Sequence, residues 1–203
     1  METGVFQREP SKMKSIRVEI LVEESSMKHF LDNILPSLLP QGIILNQNCF
    51  IRPHEGKQHL QKEIPKKVRA FKHSTVPVKV IVIHDQDSSD CILLKAELKQ
   101  LLDRAGPIPS LIRIACRELE AWYLGDMDAI QRVYPRFNPV QYRNWAKFRD
   151  PDHLTASEEL RKLIPEFQKG FASREIPKHM NILGNRSRSF NHLITGLQTF
   201  LNN

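Results

Sequence analysis

Hydrophobic positions along this chain fall into two alternating periods. Ile16 to Val22 (IRVEILV) is a run of β-branched and aliphatic residues and reads as a strand. Ser25 or Ser26 then suits a helix N-cap. Phe30, Leu31, Ile34, Leu35 and Leu38 follow at helical spacing, which predicts a helix over Met27–Leu39, stopped by Pro40-Gln41-Gly42. A second strand is predicted over Ile43–Ile51, although Asn46 to Asn48 interrupt its pattern. The polar loop Arg52–Lys57 and a basic helix from Gln58 to Phe71 come next. Val78–His84 (VKVIVIH) is nearly continuous in apolar residues, as expected of a central strand covered on both faces. Ser88 or Ser89 is placed to cap a further helix. Its apolar stripe runs Leu94, Leu98, Leu101, Leu102, Ala105, and Gly106-Pro107 ends it. Leu111–Cys116 supplies a fourth strand.

Strands separated by helices imply right-handed βαβ units. The predicted fold is therefore α/β, with a mainly parallel four-stranded sheet flanked by helices. Beyond Gly125 only helical periods occur. The expected organisation is a flexible tail over residues 1–15 and one domain over 16–203. Within that domain an α/β core reaches to about 124, and a helical part covers about 125–203.

Composition sharpens this picture modestly. Hydrophobic residues make up 40% of the chain, which excludes a disordered or fibrous protein. No apolar run approaches the roughly 18 residues that span a bilayer, so no membrane association is expected. The opening METGVFQREPSKMK has no apolar stretch of the kind a secretory signal carries. Cys49, Cys91 and Cys116 are widely spaced and form no CxxC pair. They support neither zinc nor a disulfide framework, and they suit a reducing, cytoplasmic setting. Thirty Lys and Arg against 23 Asp and Glu give a net charge of +7, which favours an anionic partner, nucleic acid first.

In an open parallel sheet, ligands bind beyond the carboxyl ends of the strands. Three predicted strands hand over at once to acids: Glu23-Glu24, Asp85-Gln86-Asp87, and Glu118-Leu119-Glu120. Converging strand-end carboxylates in a basic protein suit a hard divalent cation such as Mg²⁺ or Mn²⁺. Helix capping by Asp87 or Ser88 accounts for the same loop equally well. Lys57 or Arg52 could neutralise a phosphate oxygen, and His54 or His84 could orient a ligand or water. In the block Asn185-Arg186-Ser187-Arg188-Ser189, Ser187 or Asn185 reads as an N-cap. Arg186 and Arg188 beside that helix start could also cradle a phosphate. Trp122, Tyr123, Trp145 and Phe148 suit either burial or stacking on bases.

The strand–Val22-Glu23 and strand–His84-Asp85-Gln86-Asp87 motifs resemble the Toprim fold of topoisomerases, bacterial primases and OLD-type nucleases. An ordered set of five blocks resembles, more closely, a Toprim-related family called domain of unknown function 4276. These blocks are Val22–Ser26, His54–Lys57, Asp85–Cys91, Arg117–Asp126, and a tail from His179-Met180-Asn181 through Asn185–Phe190. The Toprim resemblance implies a Mg²⁺-dependent nuclease acting on DNA or RNA. Glu23 is then the catalytic acid, base or ligand, and Asp85 and Asp87 hold metal. Glu118 and Glu120 serve a second ion by likeness to OLD-type nucleases. It also implies a role in bacterial anti-phage defence or DNA processing, or a non-catalytic nucleic-acid-binding or ATPase-partner module. Where Toprim proteins carry glycine after the first acid, this chain has Glu24. A haloacid-dehalogenase-like phosphatase built on Asp85-x-Asp87 fits less well. Ser89 stands where that motif carries Thr, and the pair follows the third strand rather than the first.

Overall fold

A computed structural model describes residues 16–203; the tail assigned to residues 1–15 lies outside the described residues. In chain order the elements are β1 (Arg17–Val22), α1 (Ser25–Ile34), β2 (Cys49–Pro53), α2 (Lys57–Phe71), β3 (Val78–Asp85), α3 (Cys91–Ala105) and β4 (Ser110–Ala115). These are followed by α4 (Glu120–Leu124), α5 (Met127–Val133), α6 (Pro139–Tyr142), α7 (Ala156–Leu163), α8 (Lys169–Glu175) and α9 (Arg188–Asn202). The described strands form one sheet in the order β2-β1-β3-β4, and every pairing is parallel.

Because side chains alternate across a strand, each central strand feeds two cores. Val18, Ile20, Val22, Ile81 and Ile83 face α1 and the C-terminal helices. That core also takes in Phe30, Trp122, Phe148, Phe190 and Leu201. Leu21, Val80 and Val82 face α2 and α3, where Leu60, Ile64, Val68, Leu94 and Leu98 close a smaller cluster. Helices after Gly125 therefore complete the larger core. No described helix is long and apolar enough to cross a membrane.

Several element boundaries differ from the sequence expectation. Helix α1 starts at Ser25, with Glu24 in the cap position and no side-chain cap bond. It tightens at Leu35–Ser37 into a 3₁₀ turn, because Pro36 cannot donate the next helical hydrogen bond. The stretch from Ile43 to Asn48 is a turn rather than a strand. Asn48 accepts the Ile44 N–H at 2.7 Å and donates to the Gly42 carbonyl at 2.8 Å, while Asn46 sits at φ 64°. Strand β2 then runs on to Pro53.

At the sheet's far edge, the Arg113 side chain of β4 reaches α9 and donates to the His192 carbonyl at 2.9 Å. A Cβ at residue 196 would lie 2.0 Å from that guanidinium, so only glycine lets the arginine cross the helix there. Beside this crossing, β4 borders an open cleft of about 1180 Å³.

Candidate active site

The strand order reverses between β1 and β3: α1 leads from β1 outward to β2, and α2 carries the chain back past β1 to β3. A crevice opens at such a switch point, beyond the carboxyl ends of the two strands. Glu23 follows β1 there, and Asp85 ends β3. The parallel register pairs Asp85 with Ala115, so the segment that follows β4 and carries Glu118 and Glu120 leaves from the same edge.

Hydrogen bonds lock the loops after β3 and β4 to each other. The Gln86 N–H donates to the Ala115 carbonyl at 2.9 Å, and the Asp87 N–H to the Arg117 carbonyl at 2.8 Å. The Gln86 side chain accepts from the Arg117 N–H and donates to the Ser89 carbonyl. Asp87 and Arg117 are both left-handed, at φ 53° and 61°, a strained conformation that the clasp sustains. Helix α3 is capped by Asp90, which accepts from the Ile92 and Leu93 N–H groups at 2.9 Å each. Neither Ser88 nor Ser89 serves as its cap. Asp87 is free of that duty and instead accepts from Lys57 Nζ at 3.1 Å.

The crevice carboxylates are poorly compensated. Glu23 is 9% exposed, and its Oε2 is sealed from solvent with no hydrogen-bond partner. His84 Nδ1 stands 3.2 Å from that oxygen but directs its hydrogen bond to the Asp85 carbonyl at 2.5 Å, while Gln61 lies at its other ring nitrogen. Asp85 Oδ1 is likewise sealed and unpartnered, although the residue as a whole is partly exposed. Burial, reinforced by the charges of Glu23, Glu120 and Asp87, pushes the Asp85 carboxyl well above the usual range. Burial also raises Glu23; His84 opposes this and Asp87 adds to it. Glu120 is raised by burial against the pull of Lys169.

Lys169, at the start of α8, serves this second half of the edge. It lies 3.2 Å from Glu118 Oε2 and 3.5 Å from Glu120 Oε2. Burial works to lower its ammonium, but the charges of Glu120, Glu118 and Asp85 outweigh it and the pKa rises. The other oxygen of Glu118 accepts the Ser157 N–H at 2.6 Å in the first turn of α7, so Glu118 already has a partner at each oxygen. The Tyr123 hydroxyl is buried without a partner. Burial, with Glu120 and Asp85 nearby, drives its pKa well up.

The remaining candidates are placed differently. His54 is 8% exposed; its Nδ1 lies 2.8 Å from the Val22 carbonyl, and its Nε2 is sealed and unpartnered. Arg186 spends its guanidinium on the carbonyls of Arg143 and Leu124. Arg188 is exposed and lines the cleft along β4. Ser187 does cap α9, accepting the Phe190 N–H at 3.1 Å. Trp122, Tyr123 and Phe148 are buried anchors, whereas Trp145 is 50% exposed.

Sequence patterning pointed to neither Lys169 nor Asp152. Asp152 is 8% exposed and accepts from the Ser187 hydroxyl at 2.6 Å, the Ser189 N–H at 2.8 Å and the Ser189 hydroxyl at 3.1 Å. Both residues reach their partners across long stretches of chain, and no local motif announces either.

The suitability of this edge for a divalent cation can be judged from its donors. Two sealed carboxylate oxygens without a hydrogen-bond partner leave lone pairs for a cation, and hard oxygen donors are the right kind. Glu23 and Asp85 fit such an ion, with Glu120 near. Among the described residues, however, no group of three or more His, Cys, Asp or Glu side chains is arranged to hold a metal ion.

Taken together, the all-parallel sheet and the acidic crevice at its switch point define an α/β protein with a strand-edge carboxylate site. The chain belongs to the family described as a domain of unknown function, DUF4276, whose model matches residues 22–198. No curated protein matches the chain, and no solved structure does.

Proposed function

We propose that this protein is a divalent-metal-dependent nuclease, hydrolysing phosphodiester bonds of DNA or RNA at the β1/β3 crevice. The observation that carries this reading is the pair of sealed, unpartnered oxygens, Glu23 Oε2 and Asp85 Oδ1, at the switch point of the sheet. Buried polar groups are ordinarily satisfied, and charged ones cost most when they are not. Two such acids side by side are best explained by a cation they receive.

Glu23 and Asp85 would hold Mg²⁺ or Mn²⁺, with Asp87 at the rim and Glu120 behind. Bound there, such an ion supplies charge neutralisation of the phosphate and a more acidic water. The chain's own groups do the rest. His84 keeps its Nδ1 proton on the Asp85 carbonyl and so fixes the end of β3. Lys57 reaches the rim and can move from Asp87 to a non-bridging phosphate oxygen. Lys169, held by Glu118, offsets the charge of Glu120. The likeness of the Glu23 and Asp85-x-Asp87 motifs to Toprim nucleases points the same way. It also carries the proposed setting, anti-phage defence or DNA processing in the cytoplasm.

One observation favours a second reading, a non-catalytic nucleic-acid-binding or ATPase-partner module. Lys57 and Lys169 already neutralise Asp87, Glu118 and Glu120, and no group of three or more such side chains is arranged to hold a metal ion among the described residues. The test is hydrolysis of single- and double-stranded DNA and RNA by the full chain with Mg²⁺ or Mn²⁺. Asp85→Asn and Glu23→Gln should lose activity by on the order of a hundredfold or more, as loss of a charged transition-state partner does. Glu24→Gln should stay within a few-fold. Inactivity on all four substrates, with no metal-dependent thermal shift, would leave the binding module as the function.

A further inference from the structure

Residues 132–149 carry Arg132, Arg136, Arg143, Lys147 and Arg149 and no acidic residue. All five cations are exposed. Arg143 pairs with Asp128 and Lys147 with Glu159, while Arg132, Arg136 and Arg149 make no ion pair among the described residues. Aromatic side chains are interleaved with them. Phe137 stacks on Tyr142 at 5.5 Å and 19°, Tyr142 meets Trp145 edge-on at 5.2 Å, and Trp145 lies nearly parallel to Phe148 at 6.2 Å and 25°.

Trp145 packs beside Tyr142 and the buried Phe148 and stays half exposed to solvent. Val140, 78% exposed on the same segment, adds to the apolar surface that Trp145 sets among these cations. The segment is not a floppy loop. Asn138 caps α6, Arg186 donates to the Arg143 carbonyl, and Phe148 and Pro139 are buried.

We propose that this segment is a binding platform for single-stranded nucleic acid, with a base stacked on Trp145 and the flanking arginines on its phosphates. Charge complementarity identifies the partner as a polyanion, and the half-exposed indole offers a flat ring a surface to stack on. A single strand has free bases; a duplex does not. The platform ends beside a cleft whose lining reaches Asp87 at the rim of the proposed site. Arg149 is followed by Asp150, which lines the same cleft as Gln86, Asp87, Arg117 and Arg188. Binding stands on the platform itself, whereas delivery of the strand to the crevice rests on the nuclease reading.

The chain has two tryptophans, and Trp122 is fully buried, so fluorescence quenching by a ligand reports on Trp145. The experiment titrates the full chain, without divalent cations, with a labelled oligothymidylate of about 16 nucleotides, the upper end of a common site size. Intrinsic fluorescence should fall on binding. Anisotropy should show Trp145→Ala weakened about tenfold or more and Trp145→Phe largely retained. Arg136→Gln with Arg149→Gln should flatten the slope of log K against log salt by roughly 1.4. Thermal melts identify any variant that is simply unfolded.

Equal affinity of Trp145→Ala and wild type would overturn the proposal. So would tighter binding to a duplex of the same sequence, or to vesicles of anionic phospholipid, than to the single strand. Cleavage of single strands that Trp145→Ala leaves unchanged would sink the platform and keep the nuclease. Trp145-dependent binding without cleavage in Mg²⁺ would keep the platform and sink the nuclease.

Discussion

Asp152 and Asp85 are both acids turned away from water, yet their surroundings are opposites. Asp152 accepts two hydroxyls and a backbone N–H, all from Ser187 and Ser189 at the start of α9. Around it, Trp122 Nε1 donates to Ser189, and Asn185 donates to the Trp122 carbonyl while accepting the Ser187 N–H. Gly125 closes against this knot so tightly that a Cβ would lie 1.9 Å from Asn185 Oδ1. Each of these polar groups has a partner. Asp85 has an orphaned oxygen, and the charges of Glu23, Glu120 and Asp87 act on it against that of Lys169. A saturated network is architecture; an unsaturated one is a place kept for something else. The arginine-serine block therefore works mainly as a latch that fastens α9 to α4, with Arg188 alone free to meet a ligand.

The largest effect should come from breaking the saturated side. Asp152→Ala strands two serine hydroxyls and an N–H at a helix start. It should cost about 3 kcal/mol, since bonds to charged groups contribute roughly 1.5–3 kcal/mol and further donors are left unmet. At about 2–4 °C per kcal/mol, thermal melts should drop by about 6–12 °C. A change below ~1 kcal/mol would mean that the latch is dispensable.

Filling the unsaturated side should do the reverse. Mg²⁺ or Mn²⁺ at about 100 times its dissociation constant should stabilise the protein by about 2.7 kcal/mol, and neither Asp85→Asn nor Glu23→Gln should show the shift. The same ion should leave the Asp152→Ala deficit unchanged.

Without metal, Asp85→Asn should itself be stabilising near neutral pH, by on the order of 1 kcal/mol. The sign follows from linkage. The folded Asp85 pKa lies above its unfolded value, so the native state holds the extra proton and stability falls as pH rises through that window. Below the ordinary Asp range the carboxyl is protonated in both states, and variant and wild type should melt alike. Melts across pH that show a constant offset would contradict the assignment.

The smallest change should come from Asp87→Asn, within about 0.5 kcal/mol. Its pair with Lys57 is exposed on both sides, and exposed pairs contribute little. Asp90→Ala, which removes the actual cap of α3, should cost about 1 kcal/mol. The opposite ranking would return Asp87 to a capping role.

The sheet was legible because its signal is local: VKVIVIH can only be a strand covered on both sides, and Gly106-Pro107 can only end a helix. The acidic edge was legible for the same reason, since Glu23 follows β1, Asp85 ends β3 and Glu118 lies three residues past β4. What failed was set by single polar side chains. Asn48 folds the start of the predicted second strand into a turn, and Asp90 takes the cap from Ser88 and Ser89. What was missed is non-local. Lys169 reaches Glu118 across 51 residues, and Asp152 reaches Ser187 across 35. No periodicity carries such pairings, which arise only from packing: α8 against α1, α7 and the turn at Pro151–His153 against α4, and α9 against β4.

The crossing of Arg113 over α9 also bears on how copies of this molecule meet one another. Strand β4 is an edge, and an edge with open backbone groups is a template for a strand from another chain. Arg113 sits in the middle of that edge, tied to the His192 carbonyl, and burial already lowers its pKa. A second strand docking there would have to strip the remaining water from a cation that makes no ion pair among the described residues. The notch at Gly196 that seats this arginine thus fixes a cation on the strand where a second sheet edge would have to dock.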